Sequence, residues 1–262
     1  MKIQVLGCHG SDLTVNEKGR TLSYRSSGFL IDDQLLIDAG TAASVLTLEA
    51  QQHIRHVLLS HLHMDHVKEL PALVDNLFGI REFPLTVWST PDILCSLKDS
   101  LFNDVLFPNF FALPSRHSPT ILDLPLRLGA PTTISSYRVI PIAVNHTVST
   151  VGYLIEDDHA AFVYSGDTYE TEALWSLASS IQNLKAVLIE TSFPNDMWDL
   201  ARESKHLTPL LLAQEFKKIG RPDVQLYVYH LKPQYRHLIF QQLLDLGIPT
   251  LSVLAEGQEI VL

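Results

Sequence analysis

The sequence predicts a mixed α/β fold in which helices cover the outer faces of more than one sheet. Three observations carry that prediction. Short β-rich runs follow one another closely in the first part of the chain, as hairpins do. Farther on, strands alternate with helical segments, the pattern of sheets with helix-covered faces. At 262 residues and 46% hydrophobic content, the chain can bury a core larger than one sheet needs.

Taken in order, Ile3 to Leu6, Ser27 to Ile31, Leu35 to Asp38 and Val57 to Ser60 read as strands, rich in β-branched and large apolar residues. A helix is expected from about Lys68. Residues Phe78 to Gly129 break the pattern, with Phe83, Phe102, Phe107, Phe110 and Phe111 set among several prolines. This stretch, about 79–129, reads as a lid or cap inserted between two strand-rich halves. One or two of its aromatics would stack on a planar group if the lid overhangs a site. Strands resume at Tyr137 to Val144, Gly152 to Glu156, Ala161 to Tyr164, Ala186 to Ile189 and Gln225 to Tyr229. Thr208 as N-cap, Pro209 at the first helical position and Gly220 just past the end delimit one late helix. Pro233 to Leu246, closed by Gly247 and Pro249, forms another. No internal repeat or low-complexity segment interrupts the chain, so residues 1–262 are expected to form one domain carrying the lid.

Composition narrows the function. A net charge of −10 disfavours a basic surface tracking a long nucleic acid, because neutralising phosphates requires clustered Lys and Arg. An anionic substrate would therefore be small and drawn in by local groups. Cys8 and Cys95 lie far apart and outside any paired-thiol motif, which suits a reducing compartment. With no apolar stretch approaching a membrane span and no signal-like N-terminus, a soluble cytoplasmic protein is expected. A homodimer is compatible with the sequence.

The chemistry concentrates at His61-Leu62-His63-Met64-Asp65-His66, which offers four metal-ligand side chains within six residues at the end of an apolar run. Imidazole and carboxylate together suit zinc, and less exclusively manganese or iron, rather than calcium or magnesium. If the strand from Val57 continues, His61 and His63 project to one side. The chain must then turn so that Asp65 and His66 face a neighbouring position, and one segment can serve two ions. Three further candidates follow apolar strands in the same way: His146 after Val139 to Asn145, Asp167 after Phe162 to Gly166, and His230 after Leu226 to Tyr229. Strand ends of adjacent parallel or mixed sheets converge on one rim, the usual ligand site of layered α/β folds.

The order His61, His63, Asp65, His66, His146, Asp167, His230 resembles the metallo-β-lactamase superfamily, a four-layer αββα sandwich with a binuclear metal site between its sheets. Ile37-Asp38-Ala39-Gly40 is similar to that family's turn before its first helix. The resemblance implies that His61, His63 and His146 hold one divalent ion, that Asp65, His66 and His230 hold the other, and that Asp167 bridges them. Within the superfamily, the hexapeptide followed by Leu70 and Asn76 resembles class II cyclic nucleotide phosphodiesterases. So do Asn145-His146, Ser149-Thr150, Ser165-Gly166-Asp167-Thr168, Glu190-Thr191-Ser192-Phe193 and His206-Leu207-Thr208-Pro209. Glu69 departs from that pattern, standing where the family usually has glycine, and is expected to favour a helix N-terminus.

The resemblance implies hydrolysis of a small anionic phosphodiester such as a 3′,5′-cyclic nucleotide. Two ions roughly 3.5–4 Å apart activate water and stabilise the oxygens of a displacement. His206, ahead of the helix capped by Thr208, is the candidate acid for the leaving group, where an anion would also meet the helix's positive end. Glu190 would orient it, as the similar Glu and His do in transfer-RNA 3′-processing nucleases. Asp65 counts both as ligand and, with His206 and Glu190, among the catalytic groups. A cysteine-ligand zinc β-lactamase would need a thiolate at Asp167, and a flavodiiron reductase an acid at His63. A glyoxalase II-type thioesterase, a transfer-RNA 3′-processing-like nuclease and a non-catalytic metal-binding scaffold or regulatory protein remain the alternatives.

Overall fold

The computed structural model describes residues 1–17 and 19–262. Two seven-stranded sheets face each other. The first runs, in spatial order, Ile121–Pro125, Leu85–Ser89, His56–Leu58, Leu35–Ile37, Gly28–Ile31, Lys2–Gly7 and Glu259–Val261. The second runs Thr132–Ile134, Tyr137–Ala143, Val151–Glu156, Ala161–Tyr164, Leu184–Glu190, Gln225–Tyr229 and Leu251–Val253. Each is antiparallel toward one edge and parallel toward the other: Leu35–Ile37, His56–Leu58 and Leu85–Ser89 run parallel, as do Ala161–Tyr164, Leu184–Glu190 and Gln225–Tyr229. The chain therefore leaves several neighbouring strands at one rim.

Alternation along the strands makes the layers. Phe162, Tyr164, Ala186, Leu188 and Tyr229 join Phe29 and Ile37 in the core shared by the sheets. Ala161, Val163, Val187, Ile189 and Val228 point the other way, onto helices Glu172–Ser180, Pro209–Lys217 and Arg236–Asp245. A strand buried on both faces reads as a near-continuous apolar run, which is why these segments were legible as strands. Helices Leu70–Leu77 and Pro91–Ser100 bring Leu73, Val74, Leu94 and Leu97 to the first sheet, completing four layers. Beneath the rim, Phe29, Tyr164 and Tyr229 form an aromatic floor with ring centroids 5.2–5.5 Å apart. Pairs of this kind contribute about 0.5–1.5 kcal/mol beyond their buried area.

Two expectations are corrected. Residues 79–129 are not wholly an insertion between the two halves. Leu85–Ser89 and Ile121–Pro125 are strands of the first sheet, and Phe102 and Phe110 are buried in its core. The Thr120 carbonyl accepts from the Leu85 amide at the strand's start, the end remote from His61. The phenylalanines and prolines suggested an insertion because five-residue strands between them gave too short a pattern to read. The second correction concerns His56–Leu58, which stops before His61 rather than continuing through it. Its ladder ends because the Ser60 amide donates to the Asp38 carboxylate, at 2.8 Å, instead of to a strand. Among the described residues, no helix is long and apolar enough to cross a membrane.

Candidate metal centre and its supporting residues

Asp38 organises the first half of the site. It ends Leu35–Ile37 in a left-handed conformation, φ 55°, and is fully buried. Its carboxylate accepts from the Ser60 amide, from Ser60 Oγ at 2.7 Å, from Tyr164 Oη at 2.6 Å and from His66 Nδ1 at 2.7 Å. Because an ionised carboxylate only accepts, His66 must donate from Nδ1, leaving Nε2 for the site. Ser60 Oγ spends its proton on Asp38, so at 3.0 Å it accepts from His61 Nδ1 and frees that ring's Nε2 as well. His63 then caps a short helix, Met64–Val67, whose turn presents Asp65 and His66 together. Gly40 permits this approach, since a Cβ there would lie 1.9 Å from the Asp65 carbonyl.

The second sheet supplies the rest by the same device. His146, beyond Tyr137–Ala143, donates from Nδ1 to the Lys205 carbonyl at 3.1 Å. His230, beyond Gln225–Tyr229 and held at φ 70°, has Nδ1 2.8 Å from Ser192 Oγ. That hydroxyl donates to Glu190 Oε2, so it accepts from His230. Four histidines thus have Nδ1 engaged and Nε2 directed inward, the arrangement that typifies supported metal-ligand imidazoles. In the sequence, Asp38 and Ser60 were the last residues of two strands and Ser192 one residue of a motif, and none of them was marked as a support for a histidine.

Asp167 stands between the two sets. Its Oδ2 lies 3.6 Å from His61 Nε2 and 3.9 Å from His146 Nε2, whereas Oδ1 lies 3.2 Å from His66 Nε2 and 3.4 Å from His230 Nε2. His230 Nε2 is also 3.3 Å from Asp65 Oδ2. Among the described residues, His61, His63, His146 and Asp167 form one group with donor atoms all within 4.8 Å of one another, and Asp65, His66 and His230 form another. A third, overlapping group is Asp167, His206 and His230.

These donors fit divalent cations. His61 Nε2 and Asp167 Oδ1 are buried without a hydrogen-bond partner, an arrangement that proteins rarely leave unexplained. His66 Nε2 and His230 Nε2 approach to 3.2 Å, as do His146 Nε2 and His63 Nδ1, so acceptor lone pairs oppose unless a cation or proton intervenes. The electrostatics of the buried groups point the same way. Burial pushes the pKa of His61 well below its ordinary value and that of His146 down to about 4. Burial also opposes charge on His66, but Asp167 and Asp38 outweigh it and hold the ring protonated. Asp167, despite burial, stays ionised beside His230 and His66. A proton here occupies the electrostatic role of a cation.

Glu190 and His206 adjoin the centre. Glu190 is fully buried at the end of Leu184–Glu190, and Oε1 accepts from His206 Nδ1 at 2.7 Å. The His206 ring lies 5.0 Å from that of His146 and 5.4 Å, stacked, from that of His230. Burial disfavours its charge, yet Glu190 raises its pKa above the ordinary 6.5. The helix Pro209–Lys217 does not offer free amides beside it: Asn195 caps the Leu210 amide, Thr208 accepts from Leu211, and proline has none. Only the helix field, not a donor set, is available to an anion there. Glu69 turns away as well. Its carboxylate makes no cap to its own helix, accepting instead from the Ala42 and Ser44 amides at 2.7 and 3.0 Å and from Ser44 Oγ at 2.7 Å.

Two helix-covered sheets with a histidine and aspartate centre at their common rim define the metallo-β-lactamase fold. Residues 33–230 match the beta-lactamase superfamily domain, and the chain belongs to that family. It is 27% identical over 233 residues to a probable 3′,5′-cyclic-nucleotide phosphodiesterase of Yersinia pestis, covering 80% of this chain and 64% of that protein. It is 28% identical over 161 residues to ribonuclease Z of Halorubrum lacusprofundi, covering 60% of this chain and 48% of that protein. The chain thus spans less than two thirds of either relative. Its fold superposes on unliganded yeast PDE1 with a TM-score of 0.81 at 18% identity, over 100% of this chain and 99% of the other.

Proposed function

We propose that this protein is a metal-dependent phosphodiesterase that uses two divalent ions to hydrolyse a small phosphodiester, such as a 3′,5′-cyclic nucleotide. His61, His63 and His146 would hold one ion, Asp65, His66 and His230 the other, and Asp167 would contact both. Zinc suits these donors best, with manganese or iron as substitutes. Ions bound there supply a lowered pKa for water and neutralise charge on the phosphoryl oxygens. The chain's own residues do the rest. Asp38, Ser60, Lys205 and Ser192 fix the imidazole tautomers, so the site needs little reorganisation. Asp65, close to His230, can also accept a proton from an attacking water.

The observation that carries the reading is the buried Glu190–His206 pair set against the centre. Glu190 holds the Nδ1 proton, so the protonated ring presents Nε2–H as an acid. Transfer of that proton to the departing alkoxide leaves a neutral imidazole that solvent reprotonates. A thioester leaves as a weakly basic thiolate and needs no such acid, so the pair favours phosphodiester over thioester cleavage. The Yersinia relative's name agrees with a cyclic nucleotide substrate. The ribonuclease Z relative supports the alternative of a transfer-RNA 3′-processing enzyme, but the net charge of −10 favours a small substrate over RNA.

Metal-loaded protein assayed on bis(p-nitrophenyl) phosphate, 3′,5′-cyclic nucleotides, precursor transfer RNA, S-lactoylglutathione and a β-lactam tests this choice. Cyclic nucleotide hydrolysis is expected. Turnover of the thioester alone would overturn it.

A further inference from the structure

We infer that a cavity at the starts of the first sheet's parallel strands is an anion site, in which Arg81 and Arg55 hold the phosphate group of a small organic phosphomonoester. It lies away from the metal centre. Gln34 and Arg55 line it, immediately before Leu35–Ile37 and His56–Leu58, whose other ends lead to Asp38 and Ser60. Its volume is about 790 Å³, within the roughly 300–1,000 Å³ usual for small-ligand sites.

Arg81 carries the argument. Its Nη1 donates to the Ile54 carbonyl at 2.7 Å, which anchors the guanidinium to the residue before Arg55. Its Nε and Nη2 are buried with no hydrogen-bond partner, the same condition as His61 Nε2 and Asp167 Oδ1 at the metal centre. Those two nitrogens share one edge of the guanidinium, the fork that grips two oxygens of an anion at once. A buried fork to which the chain offers no acceptor costs free energy, and a bound oxyanion supplies the acceptors.

Arg55 adds a second charge. The Phe83 ring lies against both guanidinia, 4.2 Å from Arg81 Cζ and 4.8 Å from Arg55 Cζ. Burial and then Arg55 push the Arg81 pKa down to about 10, and burial followed by both arginines holds His56 below its ordinary value. Nearby carboxylates do not relieve this repulsion. Asp32 accepts from the Lys2 amide at 2.7 Å and from the Tyr137 hydroxyl, and Asp33 lies 3.7 Å from Lys2 Nζ. Glu82 is exposed, and among the described residues no carboxylate pairs with either arginine.

A phosphate dianion matches the two cations in charge and offers three oxygens, enough for the Arg81 fork and Arg55 together. Phe83 is 42% exposed and, with Arg81, also borders a cavity of about 160 Å³, so the ring has space to turn aside and admit the anion to the fork. The remaining volume, with Leu46 and Ile80 in its walls, accommodates the organic part of the ligand.

The test is the arginine Nε–H NMR spectrum of isotope-labelled, metal-loaded protein titrated with ribose 5-phosphate, with ribose and succinate as comparisons. The Arg81 signal, identified by its loss in Arg81→Lys, should shift saturably with ribose 5-phosphate and not with ribose. Arg55→Gln should weaken that binding roughly tenfold or more, the scale of one charged hydrogen bond. The shift should persist in Asp167→Ala, where a phosphate acting from the metal centre would lose its effect. An unmoved Arg81 signal overturns the site, as does a shift that Arg55→Gln leaves at full affinity or that Asp167→Ala abolishes. Succinate binding as tightly as ribose 5-phosphate overturns the choice of phosphate.

Discussion

Replacing His206 with alanine separates acid catalysis from metal binding. The side chain is 6% exposed, its Nδ1 is fixed 2.7 Å from Glu190, and it belongs to neither of the two groups, of four and three residues, that would hold the two ions. Its removal leaves the Nδ1 contacts of His61, His66, His146 and His230 in place, so metal content should not fall. What disappears is the proton for the leaving group, a contribution of about 10²–10⁴ in rate, or roughly 2.7–5.4 kcal/mol of barrier. The loss should depend on the leaving group. A 3′,5′-cyclic nucleotide expels an alkoxide and should show the full effect; bis(p-nitrophenyl) phosphate expels a stabilised phenolate and should lose far less. The assay is kcat on both substrates with metal content measured on the same samples. Equal losses on the two substrates, or loss of metal with loss of rate, would refute the acid role and leave His206 a packing residue.

The remaining predictions concern the groups around it. Because Glu190 raises the His206 pKa above 6.5 against the effect of burial, the acid form persists to higher pH and turnover should decline as pH rises through that raised value. Glu190→Gln should move the declining limb of the kcat–pH profile to lower pH, and an unmoved limb assigns it to another group. Tyr164→Phe removes one of four donors to the buried Asp38 and should cost about 1.5–3 kcal/mol in urea unfolding; no loss would mean that Asp38 does not need it. Glu69→Gly should cost about 1–2 kcal/mol, discounted for partial exposure of its bonds to Ala42 and Ser44, and leave phosphodiester turnover unchanged. A fall in turnover would place that carboxylate in the site. Chelation should lower the melting temperature, since each ion at about 100 times its Kd adds about 2.7 kcal/mol to the folded state. Re-addition of zinc should restore it.

The sequence carried His61, His146, Asp167, Glu190 and His230 because each ends or follows an apolar strand, and strand ends converge; His63, Asp65 and His66 came with the hexapeptide, and His206 with its place ahead of a capped helix and the resemblance. It carried the strands of the second sheet for a related reason: Phe162, Val163, Val187 and Leu188 are buried on both faces, and the runs are unbroken. It did not carry Leu85–Ser89 or Ile121–Pro125, which are short and bounded by prolines and aromatics that resemble loop composition. Nor could it show that Asp38 and Ser192 set imidazole tautomers, because those contacts join positions 28 and 38 residues apart. Spacing along a chain reports local geometry. It cannot report which distant hydroxyl completes a histidine.

The most direct test of the account is metal content and cyclic nucleotide hydrolysis measured on one preparation, wild type beside Asp167→Ala. The account predicts about two divalent ions per chain and conversion of a 3′,5′-cyclic nucleotide to the nucleoside monophosphate, both reduced in the variant, because Oδ1 and Oδ2 of Asp167 face the two donor groups separately. Wild-type protein that binds two ions yet hydrolyses no phosphodiester, or Asp167→Ala that retains both ions and full turnover, would contradict it.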